Sequence, residues 1–156
     1  MGSILSRDEA AGVISSLKAG GKKIVFTNGC FDILHIGHAR YLKEAKGLGD
    51  VLIVGVNADS SVGRLKPGRP IIGEAQRAEM LASLEAVDYV VLFSEDTPYE
   101  LIRSLMPDVL VKGGDWKRED IVGSDIVPEV HSLPYISGNS TTEIIRKIVE
   151  QECPGK

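Results

Sequence analysis

Short apolar runs alternate along the chain with stretches whose apolar residues recur at helical spacing. The runs are Lys23-Ile24-Val25-Phe26, the six residues 51–56, Tyr89-Val90-Val91-Leu92-Phe93, Val109-Leu110-Val111 and a shorter fifth at 130–133. Residues 51–56 are continuous and mostly β-branched, the pattern of a strand covered on both faces. Between the runs, Ala39, Leu42 and Ala45 point one way while Arg40, Lys43, Glu44 and Lys46 point the other, until Gly47-Leu48-Gly49-Asp50 stops the helix. Residues 74–86 carry Ala78, Leu81 and Leu84 at the same spacing. Thr97-Pro98-Tyr99-Glu100 combines a capping box with proline at the first helical position, predicting a helix through Leu105 that Pro107 ends. Ser140-Thr141-Thr142-Glu143 is a second such box, ahead of a helix expected to bury Ile144, Ile145, Ile148 and Val149.

Ahead of the first run, Ser6-Arg7-Asp8-Glu9 starts a helix with Ala10, Val13, Ile14 and Leu17 on one side, ended by Gly20-Gly21 and expected to lie outside the main sheet. Strand, helix, strand in repetition predicts an α/β fold, a doubly wound parallel sheet with right-handed crossovers. The division that follows is an N-terminal helix over 1–21, one domain over 22–150 and a tail over 151–156. Residues 57–73 contain Ser, Gly, Pro and the cations Arg64, Lys66 and Arg69, and read as one long loop, either functional or merely solvated.

The junction after the first run concentrates the chemistry. Thr27-Asn28-Gly29-Cys30-Phe31-Asp32-Ile33-Leu34-His35-Ile36-Gly37-His38 passes from strand to helix start, where free N–H groups favour an anion. His35 and His38 are three residues apart and share a face, with Gly37 keeping that face low. They can donate to a phosphate whose charge grows during reaction. Two rival readings stand beside this one: a structural histidine at a helix start, and a metal held by Asp32, His35 and His38. The turn is not a phosphate-binding Walker loop, because no Gly-Lys-Ser/Thr follows, and it lacks the spacing of a dinucleotide fingerprint. Arg77 in the first turn of its helix opposes the helix dipole and so hints at an anionic partner.

His35-Ile36-Gly37-His38 in this context resembles the HxGH signature of the nucleotidyltransferase superfamily that includes cytidylyltransferases and adenylyltransferases. Together with Val111-Lys112-Gly113-Gly114-Asp115-Trp116 and Ser140-Thr141-Thr142, it resembles the adenylyltransferases acting on D-glycero-β-D-manno-heptose 1-phosphate, over about residues 22–149. The resemblance implies a strand order of 3-2-1-4-5, which would bring the loops after the first and fourth runs to one crevice. It implies transfer of AMP from ATP to the sugar phosphate, for lipopolysaccharide or a related glycan. Magnesium would ride on the triphosphate, and the assembly would be a homodimer.

The same resemblance assigns His35, His38, Lys66 and Arg77 to catalysis. Thr27, Asn28, Gly29, Cys30, Phe31, Gly37, Lys112, Gly113, Gly114, Asp115, Ser140, Thr141 and Thr142 are assigned to the nucleotide, and Asp32, Asn57, Arg69 and Trp116 to the acceptor. Trp116 could equally cover the base or pack. The glycerol-phosphate cytidylyltransferases share HxGH and Ser-Thr-Thr, but carry an arginine-containing run where this chain has Tyr135-Ile136-Ser137-Gly138-Asn139. From the heptose enzymes the chain departs in a shorter stretch between Gly123 and Leu133; those enzymes are often fused to a sugar kinase, a domain not expected here. A polyol-phosphate cytidylyltransferase, a nucleotide-binding module without catalysis and an accessory domain of an aminoacyl-tRNA synthetase are the competing functions.

Bulk properties narrow the field further. With 156 residues, 43% apolar and 26% charged, the chain is long enough for one real core. A net charge of −4 leaves no basic stripe for nucleic acid. Cys30 and Cys153 suggest neither a redox pair nor a zinc site. No apolar run approaches a membrane span and no signal-like start is visible, so a reducing cytoplasm is the expected location.

Overall fold

The computed structural model describes residues 1–134 and 140–155. The heptose-versus-glycerol comparison at 135–139 therefore lies outside the described residues. Six strands form one parallel sheet: β1 (Ser3–Leu5), β2 (Ile24–Gly29), β3 (Val51–Asn57), β4 (Tyr89–Phe93), β5 (Val109–Gly113) and β6 (Glu129–Leu133). Their order is β1-β4-β3-β2-β5-β6. Counted from Ile24, the five expected strands stand in the order 3-2-1-4-5.

Strand β1 was not legible in advance. Ser3, Ile4 and Leu5 pair in parallel with Tyr89, Val90 and Val91 and extend the sheet by an edge. Three residues carry no periodicity, so only the partner makes them a strand. Helix α1 (Arg7–Ala19) starts at the expected cap, where Ser6 and Glu9 exchange side-chain hydrogen bonds with each other's backbone N–H. It buries Ala10 and Ile14 in the same core as β2 and β4. The N-terminal segment is thus woven into the sheet and its packing, not set apart from them.

Two cores flank the sheet. On one face Phe26, Ile53 and Leu110 meet Ala10 and Ile14 of α1 and Leu101 and Ile102 of α5 (Tyr99–Leu105). On the other, Val25, Val54 and Val111 meet Leu42 and Ala45 of α2 (Ile36–Lys46) and Ala78 and Leu81 of α4 (Glu74–Ala82). Every residue of β3 is buried, as its continuous apolar run requires. Gly55 is fixed by this packing, because a Cβ there would lie 2.8 Å from the Phe26 ring.

Several local expectations are corrected. The loop expected over 57–73 contains a two-turn helix, α3 (Asp59–Leu65), anchored by buried Val62 and by the Asn57 amide donating to Ser61 Oγ at 2.8 Å. Helix α4 stops at Ala82, with Ser83 as its cap. Pro98, not Thr97, caps α5, and no side chain bonds its first N–H groups. Helix α6 (Thr141–Glu152) is capped by Ser140 as predicted but buries none of its residues, and Ile148 and Val149, expected in the core, are exposed. Among the described residues no helix is long and apolar enough to cross a membrane.

Candidate active site

The site is built at the carboxyl ends of β2 and β5, which pair directly, Thr27 opposite Val111. Thr27, expected to touch the nucleotide, is fully buried. Its hydroxyl donates to Val111 O at 2.9 Å and lies 2.6 Å from the Tyr41 hydroxyl. It ties β2, β5 and α2 together beneath the site. Nothing in the sequence linked it to Tyr41.

Above it the chain turns through Phe31, whose φ of 50° lies in the left-handed region that residues other than glycine seldom occupy. Burial of the ring and its edge contact with the His38 ring, 5.4 Å between centroids, hold it there. Strain of this kind concentrates where a structure over-determines a functional loop.

His35 and His38 then stack, with ring centroids 3.9 Å apart. His35 is the N-cap of α2: its Nδ1 accepts from Gly37 N–H at 3.1 Å. His38 Nδ1 accepts from His35 N–H at 3.3 Å. An imidazole nitrogen that accepts a hydrogen bond carries no proton, so in the neutral ring the proton sits on Nε2. Both rings are therefore set as Nε2–H donors at a helix start. The structural reading of a histidine cap and the phosphate-donor reading are compatible, because the cap uses one nitrogen and frees the other.

Burial pushes the His38 pKa from its ordinary 6.5 down to about 4, with a smaller contribution from the neighbouring His35 charge. Burial also lowers that of His35. Both are neutral at pH 7. Protonating Nδ1 of His38 would set N–H against the His35 N–H it now accepts from. The unfolded chain takes up this proton near pH 6.5 and the folded chain only near 4, so stability falls as pH drops through that window. Thermal melts between pH 7 and 4 should show a steeper loss of Tm in the natural protein than in a His38→Asn variant, whose amide oxygen accepts the same bond without titrating. Equal slopes would contradict the cap.

Residues assigned to the acceptor or the phosphates from sequence prove to have internal duties. Asp32 is buried, and its carboxylate accepts from Ile71 N–H and Ile72 N–H at 2.9 Å, with Arg69 at 3.7 Å. It latches the 66–73 segment to the signature loop and is not turned to a metal with the histidines. Among the described residues no three His, Cys, Asp or Glu side chains group as a metal site requires.

Arg77, expected on the triphosphate, is 1% exposed. It donates to Ile72 O at 2.8 Å, Cys30 O at 2.6 Å, Asn57 O at 2.8 Å and the Asp59 carboxylate at 2.7 Å. The anionic partner that its place in the helix foretold is Asp59, a residue of the chain itself. Asn57 is likewise buried, bonded to Ser61 and to Arg77.

The remaining candidates stay open to a ligand. Lys66 is exposed at the end of α3. Lys112 is half-buried, with its pKa lowered chiefly by burial and also by the positive charge of Lys66, while Cys30 acts in the opposite direction. The two lysines and the signature loop thus share one electrostatic space. Buried Gly113 and Gly114 follow, with Gly114 at φ 111° and its N–H donating to Leu133 O at 2.8 Å. Asp115 is exposed. Trp116 donates its indole N–H to Gly113 O at 3.0 Å, and its backbone N–H to Ser132 Oγ at 3.0 Å. The start of α6 reaches the signature loop through Thr141 Oγ1, which donates to Ile33 O at 3.3 Å, while Ser140 Oγ caps Glu143 N–H. Three strings distant in sequence therefore meet at one edge of the sheet.

The pattern of the family described as cytidylyltransferase-like matches residues 26–147, from β2 into α6. The chain belongs to this family of nucleotidyltransferases. It is similar to the bifunctional protein HldE of a Nitratiruptor species, 64% identical over 129 residues, covering 82% of this chain and 28% of that protein. It is also similar to the bifunctional protein HldE of Wolinella succinogenes, 56% identical over 146 residues, covering 93% and 31%. The chain spans about three-tenths of the length of these curated relatives.

Among solved structures, the lipopolysaccharide core biosynthesis protein of Thermoplasma volcanium GSS1 superposes with a TM-score of 0.65 at 32% identity, over 75% of this chain and 100% of that one. The pantoate-β-alanine ligase of Francisella tularensis shares the fold, with a TM-score of 0.62 at 20% identity over 96% of this chain and 78% of that one. Family membership thus agrees with the parallel sheet and with the HxGH histidines at its carboxyl edge.

Proposed function

We propose that this chain transfers an adenylyl group from ATP to D-glycero-β-D-manno-heptose 1-phosphate, forming ADP-heptose and pyrophosphate for lipopolysaccharide or a related glycan. The observation that carries the reading is the pair of neutral imidazoles with Nε2–H groups free at a helix start. Such donors suit a phosphate whose charge increases in the transition state. In the step itself, a phosphate oxygen of the sugar forms a bond to the α-phosphorus while the bond from that phosphorus to the bridging oxygen breaks, and pyrophosphate leaves with the electron pair. No redox change occurs. The attacking phosphate is already anionic, so alignment and charge stabilisation suffice and no catalytic base is required.

His35 and His38 would follow the α-phosphate through the transition state, with Lys66 neutralising the phosphates. The hydroxyls of Ser140, Thr141 and Thr142, with the N–H groups at the start of α6, would hold the departing pyrophosphate. Gly113 and Gly114, without side chains, would let the base approach β5. Asp32, Asn57, Arg77 and Thr27 would act by holding these groups in place. Magnesium would arrive as part of the triphosphate substrate, matching a donor set that is mainly imidazole, hydroxyl and ammonium. Similarity to the HldE proteins favours the heptose acceptor, and the string Val111 to Trp116 agrees with it.

A panel of four triphosphates against sugar and polyol phosphates, read by pyrophosphate release, tests the reading. ATP with heptose 1-phosphate should exceed every other pair by at least tenfold. Turnover with CTP and glycerol 3-phosphate alone would replace it with a cytidylyltransferase. Tight nucleotide binding without release from any pair would leave a regulatory module.

A further inference from the structure

Lys66 stands at the end of a short lever. Helix α3 follows the end of β3, and Lys66 is its C-cap, with its N–H donating to Val62 O at 2.8 Å. At about 1.5 Å per residue, the seven residues of α3 span about 10 Å. A swing of roughly 6° at the base of the helix therefore moves Lys66 by about 1 Å, an error that can cost about a hundredfold in rate.

Packing alone does not hold so short a helix at one angle. Two turns are too few to be stable without tertiary support, and Ser61 and Val62 are the buried residues of α3. The base is tied at Asp59, whose carboxylate meets Arg77 and whose N–H donates to Glu74 at 2.6 Å. The other ties run elsewhere. The fully buried Ser61 hydroxyl accepts from the Asn57 amide and donates to Glu95 O at 3.0 Å. Arg64 donates to the Asp96 carboxylate at 2.8 Å and to Ser94 O. These three acceptors, Ser94, Glu95 and Asp96, form the turn that follows β4. It lies at the same carboxyl edge as the histidines, two strands and so about 10 Å from β2.

Helix α1 reaches this turn. Arg7, the first residue of α1, donates to Glu95 Oε1 at 2.6 Å, and Ala10 and Ile14 seat the helix in the core. The other oxygen of the Glu95 carboxylate is buried without a hydrogen-bond partner among the described residues. An unpaired buried oxygen lowers stability, so what this carboxylate supplies is position. It fixes Glu95, whose carbonyl anchors Ser61. Arg7 lies outside the residues matched by the family pattern, and no signature assigns it a part.

We propose that the 94–96 turn is the positioning element for Lys66, acting through Ser61 and Arg64, and that Arg7 holds this turn in place. The inference rests on the reading in which Lys66 neutralises the substrate phosphates. Arg7, Ser61 and Arg64 are positioning residues, acting through Lys66. The strength of each tie bounds its effect. A half-exposed pair such as Arg7–Glu95, or the exposed Arg64–Asp96, biases an equilibrium by no more than about fivefold. A buried hydroxyl with two partners is worth more.

A double-mutant cycle with Lys66 tests this chain of contacts. Arg7→Met should lower kcat/KM for ATP about three- to fivefold while melting close to the natural protein, and Ser61→Ala should lower it about tenfold. In a Lys66→Ala background each should cost less than about twofold more, because a misplaced lysine is no worse than a missing one. Arg7→Lys, which can still give Glu95 one N–H, should recover most of the loss. Where Ser61→Ala fails to fold, Arg7→Met and Arg64→Met carry the test, since neither side chain is buried. Effects that multiply in the Lys66→Ala background, or full activity in the Arg7→Met and Arg64→Met variants, would overturn the proposal. The same cycle read as the calorimetric Kd for ATP needs no turnover. Coupling to Lys66 in that Kd, without pyrophosphate release from heptose 1-phosphate, would keep the brace and end the adenylyl-transfer reading. Turnover of ATP with heptose 1-phosphate, but with multiplying effects, would do the reverse.

Discussion

Replacing His38 by alanine is expected to lower kcat about a hundredfold to a thousandfold while altering the KM for ATP by less than tenfold. The ring meets the phosphate most strongly where charge is greatest, so its loss raises the barrier more than it weakens the ground state. The same variant removes the acceptor for His35 N–H, so part of the effect could be mere loosening of the helix start. His38→Asn separates the two causes. Its amide oxygen can take the His35 N–H, but its short side chain cannot present a donor where Nε2–H now stands. If the activity of the asparagine variant stays near that of alanine while its Tm returns to normal, the donor role is established. Restored activity in the asparagine variant would reduce His38 to a cap.

The second large effect is expected at a residue that would not meet substrate. Arg77→Met should lower kcat/KM by about a hundredfold and destabilise the protein by at least about 3 kcal/mol. The stability figure follows from the carbonyls of Asn57, which is buried, and of Cys30 and Ile72, which are partly buried, that all lose their donor, at about 1 kcal/mol or more each. For a chain of this size that is a fall in Tm of roughly 6 °C or more. The kinetic figure follows from misplacement, since a shift of about 1 Å in a positioning element can cost about a hundredfold.

Arg77 joins the signature loop at Cys30, the end of β3 at Asn57, the start of α3 at Asp59 and the lysine-bearing segment at Ile72. No single methylene chain with an ammonium reproduces that fork, so Arg77→Lys should recover little. Asp32→Asn, which keeps one amide oxygen to accept from Ile71 and Ile72 N–H, should be milder. A Met variant that melts and turns over like the natural protein would show that the 66–73 segment needs no such anchor.

Arg77 and Asp32 mark the limit of what the sequence shows. The placement of His35 and His38 was legible because it depends on local geometry: a three-residue spacing at a helix start places both on one face whatever surrounds them. Ser140 was legible for the same reason, as was the alternation that predicts the parallel sheet. The charge of Arg77 opposes its helix dipole and so points to an anion, but the sequence does not say which, and in the fold that anion is the Asp59 carboxylate. Asp59 lies 18 positions away, and only the folding of α3 against α4 brings the carboxylate to the guanidinium. Asp32 misled in the same way, since an acidic residue inside a signature looks like a ligand until its oxygens are seen bonded to Ile71 and Ile72. Helix α3 and strand β1 escaped because each is too short for a period, and is stabilised by contacts rather than by propensity.

From its sequence alone this protein's class of fold, its family and the imidazole pair were determined, because each is written in patterns spanning a few residues or repeated along the chain. Which polar side chains stay accessible at the sheet's carboxyl edge, and which are consumed in holding loops together, was decided only by the tertiary structure. Burial turns a charged residue from a binder into a strut by surrounding it with backbone groups that must be satisfied, and those groups come from segments tens of residues apart.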